Sequence, residues 1–413
     1  MTGEMTVTVD NKKKRKAIDY NNRGTGYLNK RVYDKAIEDF TKSIELDPEL
    51  AAAYDNRGFG YYYKKEYDKA VGDFTKAIEF DPDREHDNTY HFRGMSYFEL
   101  RQFERALNDF DTVIQTGRGD AEAYHYRGNT HRELKDYEKA AEDYGKAIGL
   151  GIESAEIYVS CGYSRLQLKQ YEEAKKDFKR AIELDAALPG AYYCCGVCCM
   201  ELKHYDEAVQ NFTGALDFNF ADDVFGIHYN RGRAYHFLGQ YEHSKEDLSR
   251  AAELSPDNAE LYYLRALDYK ELKEPDNALA DLDKAIELGW NTVDAHYIRG
   301  TIRQQLRRHG QAIEDFTRAI ELGTDNADAY YKRGYSRDEL KQYSEAVEDF
   351  TMAIELDPCH VKAYNNRSVS YSNLKQYAKA AEDIKKAMEL DSTELIYQEN
   401  LEICRRLMKK RNK

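Results

Sequence analysis

Five of the seven cysteines stand close together, at Cys161, Cys194, Cys195, Cys198 and Cys199. Thiols spaced i, i+3 and i, i+4 share a helix face, so this segment has the residue types for a thiolate metal site or a redox pair. Structural zinc thiolates usually come from loops or turns, however, and this Cys-X-X-Cys lies inside a helical pattern. Free cysteine is also a small residue that buries readily. Packing is therefore the expectation, with no metal and no cofactor assigned. A second series is charged. Arginine recurs at Arg23, Arg57, Arg93, Arg127, Arg231, Arg265, Arg299, Arg333 and Arg367, and an aspartate lies 16 residues beyond each. Unpaired, the arginines would make an anion-binding ladder. A counterion that recurs with them favours structural ion pairs instead, Arg23 with Asp39, Arg57 with Asp73, Arg299 with Asp315 and Arg333 with Asp349, at under about 4 Å. The sequence has no phosphate loop, zinc-protease helix or nucleophile elbow, so no catalytic residue is assigned and no enzyme is expected.

Both series follow one period. Alignment on the recurring Arg-Gly or Cys-Gly places unit starts at residues 17, 51, 87, 121, 155, 189, 225, 259, 293, 327 and 361, nearly always 34 apart. Residues 85–86 and 223–224 are insertions, which group the units as two, four and five. Position 8 of the unit is Gly in nine of eleven, from Gly24 to Gly334, with Ala266 and Ser368 in the others. A mid-helix Gly costs about 1 kcal/mol against Ala, so its repeated use implies a second helix packed directly against it. That helix carries a small residue at position 20 (Ala36, Ala70, Ala106) and a large one at position 24, as in Phe40, Phe74, Phe110 and Tyr144. An aromatic residue at position 17 in nine units marks the start of the second helix. Pro48, Pro82, Pro256 and Pro358 close second helices, since Pro cannot continue a helix, and Gly151, Gly289 and Gly323 do so elsewhere.

A 34-residue helix-turn-helix with Tyr at 4, Gly at 8, Tyr at 11, Ala at 20, Phe at 24, Ala at 27 and Pro at 32 resembles the tetratricopeptide repeat (TPR). The resemblance covers residues 17–394 and departs from the family at position 7, where Arg stands in place of Leu. It implies an all-α fold, an α-α superhelix or solenoid of eleven tandem repeats: 17–50, 51–84, 87–120, 121–154, 155–188, 189–222, 225–258, 259–292, 293–326, 327–360 and 361–394. Such arrays need polar caps. Residues 395–413 supply a capping helix and basic tail, with Tyr397, Leu401, Cys404 and Met408 forming one apolar stripe. Residues 1–16 read as a disordered basic leader.

In the family, positions 2, 5, 6, 9, 12 and 13 of the first helix line the concave face. Position 5 is Tyr193, Tyr229, Tyr263, Tyr297 and Tyr331 in five consecutive repeats. Glu260, Asp294 and Asp328 stand at position 2, and Glu201, Glu271 and Glu339 at position 13. An aromatic, acidic groove suits a protein or peptide ligand bearing Lys, Arg or Pro. The competing reading is that these tyrosines stack on one another and stiffen the solenoid. Two binding modes known in the family do not transfer: no triplet of repeats matches a chaperone-carboxylate clamp, and the Asn ladder of the O-GlcNAc transferase solenoid is incomplete.

A net charge of −14 argues against nucleic-acid binding, which normally depends on several Lys or Arg contacts. The chain has no apolar run long enough to span a membrane and its first residues lack the blocks of a secretion signal, while odd, clustered cysteines fit a reducing compartment. A cytoplasmic protein is expected, with nuclear import an alternative resting on the run from Lys12 to Lys16. The leading functional expectation is a scaffold or adaptor that binds peptide segments. The alternatives are a metal or redox sensor at the cysteine cluster and a regulatory subunit clamping one dedicated enzyme. Oligomeric state is not legible.

Overall fold

The computed structural model describes residues 2–82, 86–118, 120–391 and 395–411. Among them are 23 α-helices and no strand, arranged as eleven consecutive helix pairs and a last single helix. Two compact units are distinguished, residues 1–220 and 221–413. The second begins close to the insertion at 223–224; residue 85 of the other insertion lies outside the described residues.

Each helix pair follows the 34-residue period. Second helices begin at position 17, as in Tyr33–Leu46, Tyr67–Phe80 and Tyr137–Gly149. Several first helices carry a side-chain cap at the preceding residue: Asp120 accepts from the Ala123 N–H, Ser154 from Ile157 and Asn258 from Leu261. Second helices that precede Pro end at Leu46, Phe80, Leu254 and Leu356. Those that end on Gly use its left-handed conformation, with φ near 100° at Gly151, Gly289 and Gly323.

The turn inside every repeat is also left-handed, although its sequence does not show it. Position 15 has φ between 57° and 63° at Arg31, Lys65, Arg101, Lys135, Lys169, Lys203, Lys273, Arg307, Lys341 and Lys375, and 72° at Gly239. A non-glycine residue there costs about 1–2 kcal/mol. Two interactions offset that cost. The chain reversal closes first-helix carbonyls, with Lys65 N–H donating to Tyr62 O and Glu66 N–H to Tyr61 O. In addition, a cation just past a helix C-terminus meets the negative end of the helix dipole.

The core is one contact repeated. All eleven side chains at position 24 are buried: Phe40, Phe74, Phe110, Tyr144, Phe178, Phe212, Leu248, Leu282, Phe316, Phe350 and Ile384. Each position-8 glycine lies against one of them. A Cβ at Gly24, Gly58 or Gly196 would stand 2.7 Å from the facing ring, closer than real Cβ atoms come. The last helix, Leu395–Arg411, buries Tyr397, Leu401 and Cys404 on Ala380, Ala381, Ile384 and Ala387 of the final repeat. Met408 lies outside the residues whose side chains are described. At the other end the first helix runs Thr2–Asn29, so the chain is helical where a disordered leader is expected. Neither Gly nor Pro stands between Gly3 and Gly24 to stop the first repeat's helix from propagating backward.

Gly58→Ala should destabilise the chain by about 1–3 kcal/mol through overpacking. Gly72→Ala, on an exposed helix position with nothing within 4 Å, should stabilise it by up to about 1 kcal/mol. Urea midpoints of the two variants against the parent check the pair.

Candidate functional site

The arginines at position 7 lie at the joints between repeats. All nine pair with the aspartate at position 23 of their own repeat at 2.6 to 2.7 Å. Arg57 does so through Nε and Nη2 to both oxygens of Asp73, the planar fork matching the carboxylate. The remaining nitrogen, Nη1, reaches back to position 25 of the preceding repeat: Arg57 to Thr41 at 3.2 Å, Arg127 to Asp111 at 2.6 Å, Arg265 to Ser249 at 3.1 Å, Arg299 to Asp283 at 2.6 Å and Arg367 to Thr351 at 2.9 Å. The guanidinium is held between the tyrosines at positions 4 and 11, with Arg57 5.6 Å from Tyr54 and 5.8 Å from Tyr61. Arg93, Arg265 and Arg367 repeat that clasp. Arg23, which has no preceding repeat, leaves 56% of its side chain exposed against 16% for Arg57.

Repeats five and six break the series in different ways. Cys161 takes position 7 of repeat five, but Arg165 at position 11 reaches the same aspartate, Asp177, at 2.7 Å. In repeat six the three positions are Cys195, Cys199 and Asn211, and the joint with repeat five is bridged instead by Lys179 and Glu207 at 2.7 Å. Cys195 and Cys199 stand one turn apart on the helix Pro189–Glu201, and both are fully buried. The neighbouring thiol holds Cys199 below the ordinary thiol value and pushes Cys195 above it. Burial pushes Cys161 and Cys198 up to about 12 and Cys194 up to about 11. No group of three or more His, Cys, Asp or Glu side chains among the described residues is placed to hold a metal ion.

The five tyrosines at position 5 are half-buried and packed. Tyr193 stacks on Phe220 at 5.3 Å and Tyr229 on Phe225 at 5.6 Å, while Tyr263 lies tilted 5.5 Å from Trp290 and Tyr331 4.8 Å from His360. The acids at position 2 belong partly to the same joint. Tyr297 donates its hydroxyl to Asp328 of the next repeat. Burial, with Glu260 and Asp294 adding to it, raises the phenols of Tyr229 and Tyr263 respectively. Repeats three and four use His91 and His125 at this position, facing Glu122 and Glu156 of the following repeats. Glu260, Asp294, Glu271 and Glu339 remain exposed, so the acidic edge is open to a partner while the tyrosines show it only part of their rings.

One feature of the first unit escapes the sequence reading. A cavity of about 510 Å³ in repeats one to three is walled by Tyr33, Phe59, Tyr63 and Phe92, with Arg31 and Asn88 at its edge. Its signal was Phe59 at position 9, Tyr63 at 13 and Phe92 at 6, all groove positions in the family, yet scattered over two repeats and hidden among other aromatics. Tyr63 is 48% exposed.

Models of the tetratricopeptide repeat match residues 20–50, 51–84, 93–155, 155–188, 225–258, 259–288, 293–324, 327–358 and 350–382. The chain belongs to the tetratricopeptide repeat family, and its helix-pair array is a protein-interaction scaffold. Among solved structures, a MamA protein is 25% identical over 41% of this chain and 93% of its own, with a TM-score of 0.39. YrrB, described as a TPR protein with an unusual peptide-binding site, is 24% identical over 46% and 98%, with a TM-score of 0.43. The Cut9–Hcn1 hetero-tetramer of the APC/C covers 92% of this chain and 95% of its own at 12% identity and a TM-score of 0.36. No curated protein matches. No helix among the described residues is long and apolar enough to cross a membrane.

Arg57→Ala or Asp73→Ala alone should cost about 3–5 kcal/mol by stranding the partner charge, and the double variant less than the sum; denaturant titration of the three checks the coupling. Burial holds His91 and His125 below their ordinary value, so the unfolded chain takes up protons first as pH falls. Stability is therefore retained above about pH 6.5 and falls below it. Replacing both with Tyr, the residue of repeats six to ten, should flatten the loss between about pH 7 and pH 5 in urea midpoints.

Proposed function

We propose that the protein is a non-enzymatic, cytoplasmic scaffold that binds extended peptide segments along the first helices of its repeats. The observation that carries the reading is the exposed acidic edge of the second unit, Glu260, Asp294, Glu271 and Glu339, beside half-buried tyrosine rings. Carboxylates at that spacing select Lys or Arg on a partner, and tyrosines held rigid by their packing offer contact area without an entropy cost on binding. The aromatic cavity of the first unit adds a seat for a prolyl or other apolar side chain, because proline-rich segments dock on aromatic-lined grooves as a preformed extended helix. Partner chemistry then differs between the units, basic along the second and apolar on the first.

Reversing two exposed charges, Glu271→Lys with Glu339→Lys, tests this without disturbing the joints. Affinity purification of the parent chain with mass spectrometry defines the partner segment, and its peptide is then titrated by fluorescence anisotropy. The reversal should weaken a segment rich in Lys or Arg by about tenfold or more at low salt, with a smaller effect as salt screens the charges. An unchanged affinity, or a partner peptide with acidic rather than basic residues on the second unit, would count against the groove assignment. One stoichiometric enzyme among the captured proteins would instead identify a dedicated regulatory subunit.

A further inference from the structure

We propose that the aromatic cavity of the first unit binds an acidic apolar segment: an extended stretch of a partner protein in which a large apolar side chain has an Asp or Glu within two residues. That assignment rests on the groove reading above and adds the partner's charge. Four rings wall the cavity in two pairs. Tyr33 stacks on Tyr63 at 5.5 Å, and Phe59 meets Phe92 edge to face at 4.9 Å. Tyr63 and Phe92 join the pairs at 6.2 Å, and Phe59 leans on the buried Phe74 at 5.2 Å. Rings fixed on one another lose little freedom when a side chain enters, which favours a large apolar one.

The rest of the lining is Leu28, Asn29, Arg31 and Asn88. Arg31 is its one charge, exposed and without an ion pair among the described residues. The nearest acid in sequence, Asp34, is held by Lys64 at 2.7 Å. The left-handed turn fixes where Arg31 stands, its N–H donating to Leu28 O at 2.8 Å and the Val32 N–H to Tyr27 O at 2.9 Å. The second unit builds the same feature with a different charge balance. A cavity of about 360 Å³ there takes in positions 12, 13, 15 and 17 of repeat eight, Lys270, Glu271, Lys273 and Pro275, which correspond to Leu28, Asn29, Arg31 and Tyr33 of repeat one. Its position 13 is a carboxylate, and Glu271 pairs with Lys270 at 2.7 Å. In the first cavity the residues at positions 13 and 2 are Asn29, Tyr63 and Asn88, none of them acidic. The countercharge therefore comes from the partner. A guanidinium offers a planar fork that matches a carboxylate, and the two Asn amides add neutral donors beside it. A segment bearing Lys or Arg meets a like charge here, so the four rings do not serve as a cage for a cation.

The test is a selection on the purified full chain from a library of terminally blocked peptides, each with one Phe at its centre. Asp or Glu should be enriched within two residues of the Phe. The enrichment should vanish in Arg31→Gln, which should keep the parent's circular dichroism spectrum. In fluorescence anisotropy at low salt, changing the selected acid to its amide should weaken the tightest peptide about fivefold in the parent and leave it unchanged in Arg31→Gln. Tyr63→Ala should weaken the acid and amide peptides alike. A library that yields no binder, no acidic preference, a preference that survives Arg31→Gln, or enrichment of Pro without an acid overturns the proposal. So does binding that requires the carboxylate to be a free C-terminus. The groove reading has its own readout, the loss of basic segments on Glu271→Lys with Glu339→Lys. If those segments behave as stated while the acidic preference is absent, only the acidic assignment falls.

Discussion

The guanidinium at position 7 is the contact on which the array depends. One planar group ties the two helices of its own repeat through the position-23 carboxylate, reaches back to the repeat before it, and is gripped by two tyrosines of its own helix. A lone helix pair cannot bury its apolar face, so stability in such arrays is a sum of intrinsic and nearest-neighbour terms. Here the neighbour term has a polar component at most joints in addition to the apolar one. A buried ion pair is a poor source of net stability, because desolvation cancels much of the attraction. What it supplies is register, since the fork fits one carboxylate in one orientation and its third nitrogen fits one neighbour.

That arrangement explains a composition that looks odd for a globular protein. Much of the tyrosine lines the arginines at positions 4 and 11, and the tyrosines at position 5 close the same joints from the other side. The glycines are set by ring-to-backbone approach at position 8. Where the arginine is missing, the neighbourhood changes with it: Arg165 substitutes from one turn further along in repeat five, whereas repeat six replaces all three members of the set.

The period, the facing small and large residues, and the Arg–Asp spacing were all legible in the sequence, because each is a side-chain identity repeated at a fixed interval. The link from Arg to position 25 was not, since its acceptor is Thr, Ser or Asp and varies from joint to joint. The left-handed turns were hidden for the opposite reason, being occupied by Lys and Arg where a reader looks for Gly. At the candidate site, the acidic positions could be named but not their burial. Asp328 looks like Asp294 in the sequence, yet it accepts a hydrogen bond from Tyr297. The aromatic cavity joins residues of three repeats, and no single unit displays it.

The turns at position 15 also shape the electric field. In the first unit they place Arg31, Lys65, Arg101, Lys135, Lys169 and Lys203, all exposed, at the same end of successive helix pairs. The second helices begin at that same end with acidic first turns, Asp34, Asp68, Glu104, Glu138, Glu172 and Asp206. Cations and carboxylates therefore alternate along the edge, and some pair directly, as Lys64 does with Asp34 at 2.7 Å. An edge of mixed charge gives a partner short-range, sign-specific contacts, screened beyond a Debye length of about 8 Å at physiological salt. Backbone geometry that reverses the chain thus also spaces those contacts one repeat apart.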